Sequence, residues 1–167
     1  RWNSPRLGMI SPAKFIPLAE ENGLIVPIGD WVLKTACSQN RKWMDMGYEP
    51  IYVSVNISAL QIHQKDFVDK IRQVLEETQM APQYLELEIT ESIAMEDTET
   101  RIQILETLQA MGLRVAIDDF GTGYSSLSYL RRFHITTLKL DQSFTRELAT
   151  NEKDAAIVST ILAIGHN

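Results

Sequence analysis

The stretch that decides the fold is residues 113–126, which read Leu-Arg-Val-Ala-Ile-Asp-Asp-Phe-Gly-Thr-Gly-Tyr-Ser-Ser. Its first half is rich in β-branched and apolar residues and predicts a strand. Two adjacent carboxylates, Asp118 and Asp119, follow, and then a turn that contains Gly121 and Gly123. A strand that ends in acids and runs into a flexible loop is typical of a functional site, although an ordinary acidic turn would have the same sequence pattern.

The composition fits one globular domain and restricts its partners. The chain has 167 residues, of which 44% are hydrophobic and 23% charged, enough for a substantial core. Its net charge of −6 argues against a nucleic-acid polymer or an anionic membrane surface, since both attract basic proteins. Cys37 is the single cysteine, so we expect no disulfide within the chain and a reduced, cytoplasmic location. The sequence contains no transmembrane run or signal peptide, so no membrane contact within this chain is expected.

Helices and strands are predicted to alternate along most of the chain. Periodicity and capping signals predict helices over about residues 12–22, 29–46, 66–80, 98–111, 125–132 and 154–165. Strands are predicted over about residues 51–57, 85–91, the start of 113–126, and 137–141, with loops or short turns at 3–9 and 144–148. The aromatic and methionine residues of the second helix, Trp31, Trp43 and Met44, are expected in the core. This element order implies a parallel sheet with right-handed crossovers.

Each predicted strand has one apolar face and one face that ends in polar residues, because side chains alternate along a strand. The strands of a doubly wound sheet should be apolar on both faces. Polar residues on a repeated inner face therefore favour a (β/α)₈ barrel, whose active site lies at the carboxyl ends of the strands. In such a barrel the side chains that converge there are Asn56, Glu88, Asp118 and Lys139.

The chemistry follows from these side chains. Carboxylate and amide oxygens suit Mg²⁺ or Mn²⁺, and the scattered histidines disfavour zinc. Two adjacent acids could hold two ions about 3.5–4 Å apart, an arrangement that activates water for attack on a phosphodiester. Lys139 could hold the attacking water or offset phosphoryl charge. It could equally form a structural ion pair with Asp118 or Glu88, and the sequence leaves both open.

Five longer motifs carry a resemblance that extends over the whole chain. They closely resemble those of the bacterial EAL domain, whose members are cyclic di-GMP phosphodiesterases. The motifs are Ser11-Pro12-Ala-Lys-Phe-Ile-Pro-Leu-Ala-Glu20, Val55-Asn56-Ile-Ser58, Glu86-Leu-Glu-Ile-Thr-Glu-Ser92, Asp118-Asp-Phe-Gly-Thr-Gly-Tyr-Ser-Ser126 and Leu138-Lys-Leu-Asp141.

The resemblance implies a (β/α)₈ barrel with one antiparallel strand, which hydrolyses cyclic di-GMP to linear pGpG with Mg²⁺ or Mn²⁺. The metal ligands implied by motif position are Asn56, Glu88, Asp118 and Asp119. The implied catalytic residues are Lys139, which would orient the water, Asp118, and Glu91, which would steady the loop from Gly121 to Ser126. Asp141 would line the site. Arg1 would touch a substrate phosphate, or it is simply a frayed terminal residue.

The resemblance also implies that residues 1–167 are a partial EAL phosphodiesterase domain with about four full strands of the barrel. The family's Glu-Ala-Leu signature and first strand would precede Arg1, and a Glu-Gly-Val-Glu motif would follow His166. We therefore expect the parent domain to hydrolyse cyclic di-GMP and these 167 residues alone to have no useful turnover. A homodimer is expected, and the parent could carry a sensor domain, a diguanylate cyclase module or a membrane anchor.

Two other functions remain open at this point. One is an inactive cyclic di-GMP sensor or scaffold, whose parent lacks the missing glutamates and binds the dinucleotide without cutting it. The other is a Mg²⁺-dependent barrel hydrolase that acts on a different phosphate ester.

Overall fold

A computed structural model of the chain describes residues 1–95, 99–121, 135–146, 148 and 151–165. The chain divides into two compact units. The first comprises Arg1–Glu49 and Val55–Met80, and the second comprises Pro50–Ser54 and Ala81–Asn167. The helix predicted over 125–132 lies outside the described residues.

The first unit is mainly helical. Its elements are β1 (Trp2–Ser4), β2 (Gly8–Ile10), α1 (Pro12–Glu21), α2 (Ile25–Asp45), the end of β3 (Val53–Asn56), α3 (Ala59–Ile62) and α4 (Phe67–Thr78). The loop predicted over 3–9 is wrong, because β1 and β2 pair as a short antiparallel hairpin. The Trp2 ring packs edge-on against Phe15, with the ring centroids 6.0 Å apart.

Helix α1 begins where the sequence predicts. Ser11 is its N-cap residue and Pro12 its first residue, a position where the missing amide of proline costs no hydrogen bond. The helix ends at Glu21, and Gly23 follows with a φ of +75°, a backbone conformation that glycine adopts without strain.

Helix α2 begins at Ile25, four residues before the predicted start at Gly29. Its buried residues are Ile25, Gly29, Leu33, Cys37 and Asn40, nearly every fourth residue, as expected for the inner stripe of a helix. The prediction that its tryptophans lie in the core is wrong. Trp31 is 67% exposed, because it lies on the side of the helix opposite this stripe. Trp43, in the last turn of the helix, is 39% exposed.

Gly29 lets α2 approach a locked glutamine side chain. A Cβ atom on Gly29 would lie 2.1 Å from Nε2 of Gln61. Gln61 cannot easily move away, because its Oε1 accepts hydrogen bonds from the amide and the hydroxyl of Ser58. Ser58 Oγ in turn accepts a hydrogen bond from the backbone amide of Gln61, which completes a capping box at the start of α3.

We therefore predict that Gly29→Ala destabilises the protein, although alanine normally favours a helix over glycine. Overpacking against Gln61 and loss of the capping box should lower the free energy of unfolding by about 1–3 kcal/mol. Urea unfolding checks this, with the exposed Gln39→Ala in the same helix as the control. A stabilised Gly29→Ala protein would contradict the packing described here.

Cys37 lies on the buried stripe of α2 and is fully buried. Burial disfavours the charged thiolate and raises the pKa of the thiol from 9.0 to about 11. The unfolded chain therefore loses this proton at a lower pH than the folded chain does. Stability that Cys37 contributes is present below pH 9 and is lost as the pH rises toward 11.

We predict that unfolding stability falls more steeply from pH 8 to pH 10 in the wild-type protein than in Cys37→Ala. The excess loss should be about 1 kcal/mol, since one pKa unit corresponds to about 1.4 kcal/mol. Denaturant unfolding at both pH values checks this. The comparison between the two proteins removes the contribution of lysines and tyrosines. Parallel pH profiles of the two proteins would contradict the predicted contribution of Cys37.

The second unit is built on a sheet with the strand order β3-β4-β5-β6. Its elements are the start of β3, a 3₁₀ turn (Pro82–Tyr84), β4 (Leu85–Thr90), α5 (Glu91–Met95), α6 (Glu99–Ala110), β5 (Arg114–Phe120), β6 (Thr137–Leu140), α7 (Gln142–Arg146) and α8 (Glu152–Gly165). β4 pairs parallel with β5, and β5 pairs parallel with β6. This architecture is α/β and consistent with part of a (β/α)₈ barrel.

The predicted bounds of the other elements in this unit are close, but the sequence did not predict α5, and it assigned the segment after β6 wrongly. There the predicted loop at 144–148 is wrong in its first part, since α7 covers Gln142–Arg146. Its start is fixed locally, because the Ser143 amide donates to Oδ1 of Asp141 at 2.8 Å. An aspartate that accepts this bond acts as a cap for the short helix.

Both faces of β4 are buried, which the alternating pattern did not predict. Leu87 and Ile89 are each 2% exposed on the apolar face. On the opposite face Glu86 is 1% exposed and Glu88 is 5% exposed. Buried carboxylates need partners, and the other strands of the sheet supply them.

Of the helices in the described residues, none is both long and apolar enough to cross a membrane.

Candidate functional site

The centre of the candidate site is an ion pair between Glu88 on β4 and Lys139 on β6. The two strands are separated by β5, where Ala116 pairs with Glu88 on one side and with Thr137 on the other. The Glu88 side chain is 5% exposed and the Lys139 side chain is 38% exposed. The sequence left a structural ion pair or a catalytic role open for Lys139, and the structure contains the ion pair with Glu88.

The surrounding carboxylates keep Lys139 charged. Partial burial alone would lower the pKa of its ammonium group, but the hydrogen bond to Glu88 and the charges of Glu88, Asp118 and Glu86 outweigh it. The pKa of Lys139 is therefore raised above its usual value. A lysine held in this way is a hydrogen-bond donor with a full positive charge.

Three aspartates form an acidic cluster beside this pair: Asp118, Asp119 and Asp141. Burial and the charges of Asp118 and Asp141 raise the pKa of Asp119, and its side chain also hydrogen-bonds with Asp141. Hydrogen bonds from the hydroxyl and amide of Ser143 lower the pKa of Asp141. Negative charge is therefore concentrated at this edge of the sheet.

A β-bulge positions Asp118 and Asp119. The pairing of β5 with β6 shifts between Ile117 and Phe120, and Asp119 has a φ of +53°, which is uncommon for a residue other than glycine. The Asp119 amide donates to Oδ1 of Asp118 at 3.1 Å. Neighbouring residues of a regular strand point to opposite faces, whereas a bulge redirects one of them.

Glu91 holds the turn that follows this bulge. Its side chain is buried, and Oε2 accepts a hydrogen bond of 2.8 Å from the Gly121 amide. Gly121 has a φ of +101°, and a Cβ atom there would lie 2.8 Å from the ring of Phe144. Glu91 therefore contacts the start of the loop. Its role in steadying the whole loop stays a prediction, since residues 122–126 lie outside the described residues.

The predicted site residues of the first unit are not tested in the same way. Asn56 is the exposed last residue of β3, and Arg1 is exposed and precedes β1. Their roles as metal ligand and phosphate ligand stay predictions. In the second unit, Lys139 pairs with Glu88 and also interacts electrostatically with Asp118. The catalytic and metal-binding roles of these three residues stay predictions as well.

The donor types fit a divalent cation, but the described part of the chain holds no complete metal cage. Carboxylate oxygens suit Mg²⁺ and Mn²⁺. Burial and, after it, repulsion from Asp118 and Asp141 raise the pKa of Asp119, and a cation would relieve that repulsion. Yet no three His, Cys, Asp or Glu side chains among the described residues are arranged to hold a metal ion, and Glu88 is paired with Lys139.

Sequence reasoning missed two parts of the site. One is the buried carboxylate of Glu86, which bonds to Ser54, Arg114 and Thr137. The polar face of β4 gave a signal for Glu86, but nothing identified its partners. The other is Phe144, which packs on Gly121 and was assigned to a loop.

Comparison with known proteins gives the family. The family model for the EAL domain matches residues 1–167. This chain belongs to the EAL domain family. It is 51% identical over 165 residues to MucR of Pseudomonas aeruginosa, described as a bifunctional diguanylate cyclase/cyclic di-GMP phosphodiesterase. It is 42% identical over 164 residues to the cyclic di-GMP phosphodiesterase PdeR of Escherichia coli.

The alignments cover 99% of this EAL chain but 24% of MucR, and 98% of the chain but 25% of PdeR. The chain thus spans about a quarter of the length of these curated relatives. Among solved structures, the PaMucR phosphodiesterase in complex with c-di-GMP has a TM-score of 0.95 at 51% identity, over 99% of this chain and 67% of that one. The EAL enzyme Bd1971 bound to cAMP and cyclic di-GMP has a TM-score of 0.91 at 35% identity, over 99% and 46%.

We predict that Gly121→Ala destabilises the EAL chain more than Gly112→Ala does. Both glycines have positive φ, but a Cβ on Gly112 would lie at an ordinary 3.6 Å from Pro82. Gly121→Ala adds the collision with Phe144, so its cost should exceed that of the control by about 1–3 kcal/mol. Thermal unfolding measures this. The excess should shrink in the Gly121→Ala/Phe144→Leu double variant, and equal costs in the two single variants would refute the contact.

Proposed function

We propose that this EAL chain is the central part of a domain that hydrolyses one phosphodiester bond of cyclic di-GMP, giving linear pGpG. The observation that carries the proposal is the Glu88–Lys139 pair beside Asp118, Asp119 and Asp141, at the carboxyl ends of parallel strands. The position at the carboxyl ends is where barrel enzymes have their active sites. Family membership and relatives named as cyclic di-GMP phosphodiesterases support the same substrate.

A divalent metal is part of the proposal, since EAL phosphodiesterases are generally dependent on one. We infer that it is Mg²⁺ or Mn²⁺, with two ions at the site. Glu88, Asp118 and Asp119 would hold them, joined by Asn56. Bound there, the metal would activate water and offset charge on the phosphoryl oxygens. Their oxygen donors support this assignment.

Lys139 has the clearest role among the residues of the chain itself. Its ammonium group keeps its proton beside Glu88 and Asp118, so it serves as a hydrogen-bond donor and not as a base. If a metal ion held Glu88, Lys139 would be able to donate to the attacking water or to a phosphoryl oxygen. Either bond orients the reactants and offsets the negative charge that develops on phosphorus-bound oxygens.

Hydrolysis adds the water oxygen to phosphorus and breaks the bond from phosphorus to the 3′ oxygen. The leaving oxygen gains a proton and becomes a 3′-hydroxyl group, while the phosphate stays on the 5′ carbon. Asp141 lines the site in this proposal, and Arg1 contacts a substrate phosphate. Glu91 acts through Gly121, whose amide it binds. We also propose a cytoplasmic setting and a homodimer of the parent, joined to sensor or cyclase domains.

The test is conversion of cyclic di-GMP to pGpG by the chain with its native flanking sequence. We expect turnover that needs Mg²⁺ or Mn²⁺, stops with EDTA and returns when metal is restored. Glu88→Ala should lower kcat by more than about 100-fold, since even outer-shell partners of a metal cost about 10–100-fold. Glu106→Ala, an exposed glutamate on α6, is the matched control.

Three outcomes separate the candidate functions. Metal-dependent turnover lost in Glu88→Ala supports the phosphodiesterase. Tight binding of cyclic di-GMP without turnover would replace it by a sensor or scaffold. Turnover of another phosphate ester, but not of cyclic di-GMP, would reject the substrate while keeping the hydrolase.

A further inference from the structure

Glu86 is a charged residue in the interior of the sheet that the proposed chemistry does not use. It is 1% exposed and lies two residues before Glu88 on the same face of β4. A buried carboxylate is costly unless charged or polar partners surround it. Its partners therefore indicate what it does for the site.

Each of the other three strands of the sheet provides one partner for Glu86. Ser54 Oγ on β3 donates to Oε1 at 2.7 Å. Arg114 Nε on β5 donates to Oε2 at 3.4 Å, and Thr137 Oγ1 on β6 donates to the same oxygen at 3.0 Å. The Arg114 guanidinium is held in turn by the Tyr52 ring, with Cζ 4.5 Å from the ring centroid. Glu86 therefore bonds to side chains of all three other strands of the sheet.

The bond from Glu86 to Thr137 runs parallel to the Glu88–Lys139 pair. Both start on β4, both end on β6, and both cross over β5. Both pairs have the same offset between the strands, because Glu88 follows Glu86 by two residues on β4 and Lys139 follows Thr137 by two residues on β6. The Glu86 bond is therefore one layer deeper in the sheet than the pair at the site.

Ala116 on β5 leaves room for these two bridges. It pairs with Glu88 on one side and with Thr137 on the other, and it is fully buried. Its side chain is a single methyl group, which occupies little volume on the strand that separates β4 from β6. A larger side chain there would separate the groups that meet across it.

We propose that Glu86 and Thr137 are positioning residues, which set the offset of β6 against β4 so that Lys139 meets Glu88 at the site. The offset needs such a device because β6 joins the sheet beside a bulge, where backbone pairing alone fixes the register less firmly. The catalytic consequence rests on the proposed phosphodiesterase function. The geometric consequence, the placement of Lys139, does not.

The first measurement follows the position of Lys139 without using turnover. The chain with its native flanks is treated with an acetylating reagent, and the labelling rate of Lys139 is read by mass spectrometry. We expect Thr137→Val to raise that rate several-fold, because the amine loses its fixed partner. Thr137→Ser, which keeps the hydroxyl, should label like wild type. Thr107→Val removes a hydroxyl from exposed α6 and is the control.

The second measurement is kinetic and uses the same variants. Thr137→Val should lower kcat for cyclic di-GMP about tenfold or more with KM nearly unchanged, because a misplacement of about 1 Å can cost about 100-fold in rate. Thr137→Ser should restore most of it. Glu86→Gln keeps the shape of the side chain and should move both readouts in the same direction as Thr137→Val. It replaces Thr137→Val if that variant does not fold.

Unchanged labelling of Lys139 in both Thr137→Val and Glu86→Gln would overturn the positioning role, whatever happens to the melting temperature. Raised labelling with unchanged kcat would show that Glu86 and Thr137 place Lys139 without any effect on catalysis, and would overturn the catalytic part of the proposal. If wild type itself does not turn over cyclic di-GMP, the proposed function fails, while raised labelling in Thr137→Val would still support the placement of Lys139.

Discussion

The organisation of the second unit depends on a desolvation constraint: two carboxylates on one strand are shut away from water and must find partners inside the sheet. Glu86 and Glu88 are almost fully buried, and an unpaired charge in such a place would cost far more than a single hydrogen bond returns. The partners on β6, Thr137 and Lys139, therefore have to lie where they do. The constraint that holds the sheet together also produces the polar groups of the candidate site.

One edge of the sheet carries the Lys139 ammonium group together with several carboxylates, and the charges there affect the pKa values of their neighbours. The pKa of Lys139 is raised and that of Asp119 is raised as well, so the environment favours protons on both groups. A divalent cation can compete for the same carboxylates, and the protein's net charge of −6 favours its approach.

The sequence predicted the repeated strand–helix order and the polar strand ends because both depend on local rules: side-chain alternation, helix periodicity and caps. The predicted convergence of Glu88, Asp118 and Lys139 followed from parallel strands alone. Register and packing between residues distant in sequence are not encoded in any local sequence pattern. They determine the bulge at Asp119, the partners of Glu86 and the contact of Phe144 with Gly121. The exposure of Trp31 was missed for a related reason, since hydrophobicity identifies a residue that can be buried but not the stripe that is buried.

Ala116 adds a consequence for how this sheet can change. Side chains of β4 and β6 bond to each other across β5, the strand that carries this small residue. The effect of a substitution at position 116 is therefore expected to depend on which residues stand at 88 and 139, and the reverse holds as well. Such dependence is epistasis, and here it arises from volume. The residue with no polar atom in its side chain limits which polar residues its neighbours can become.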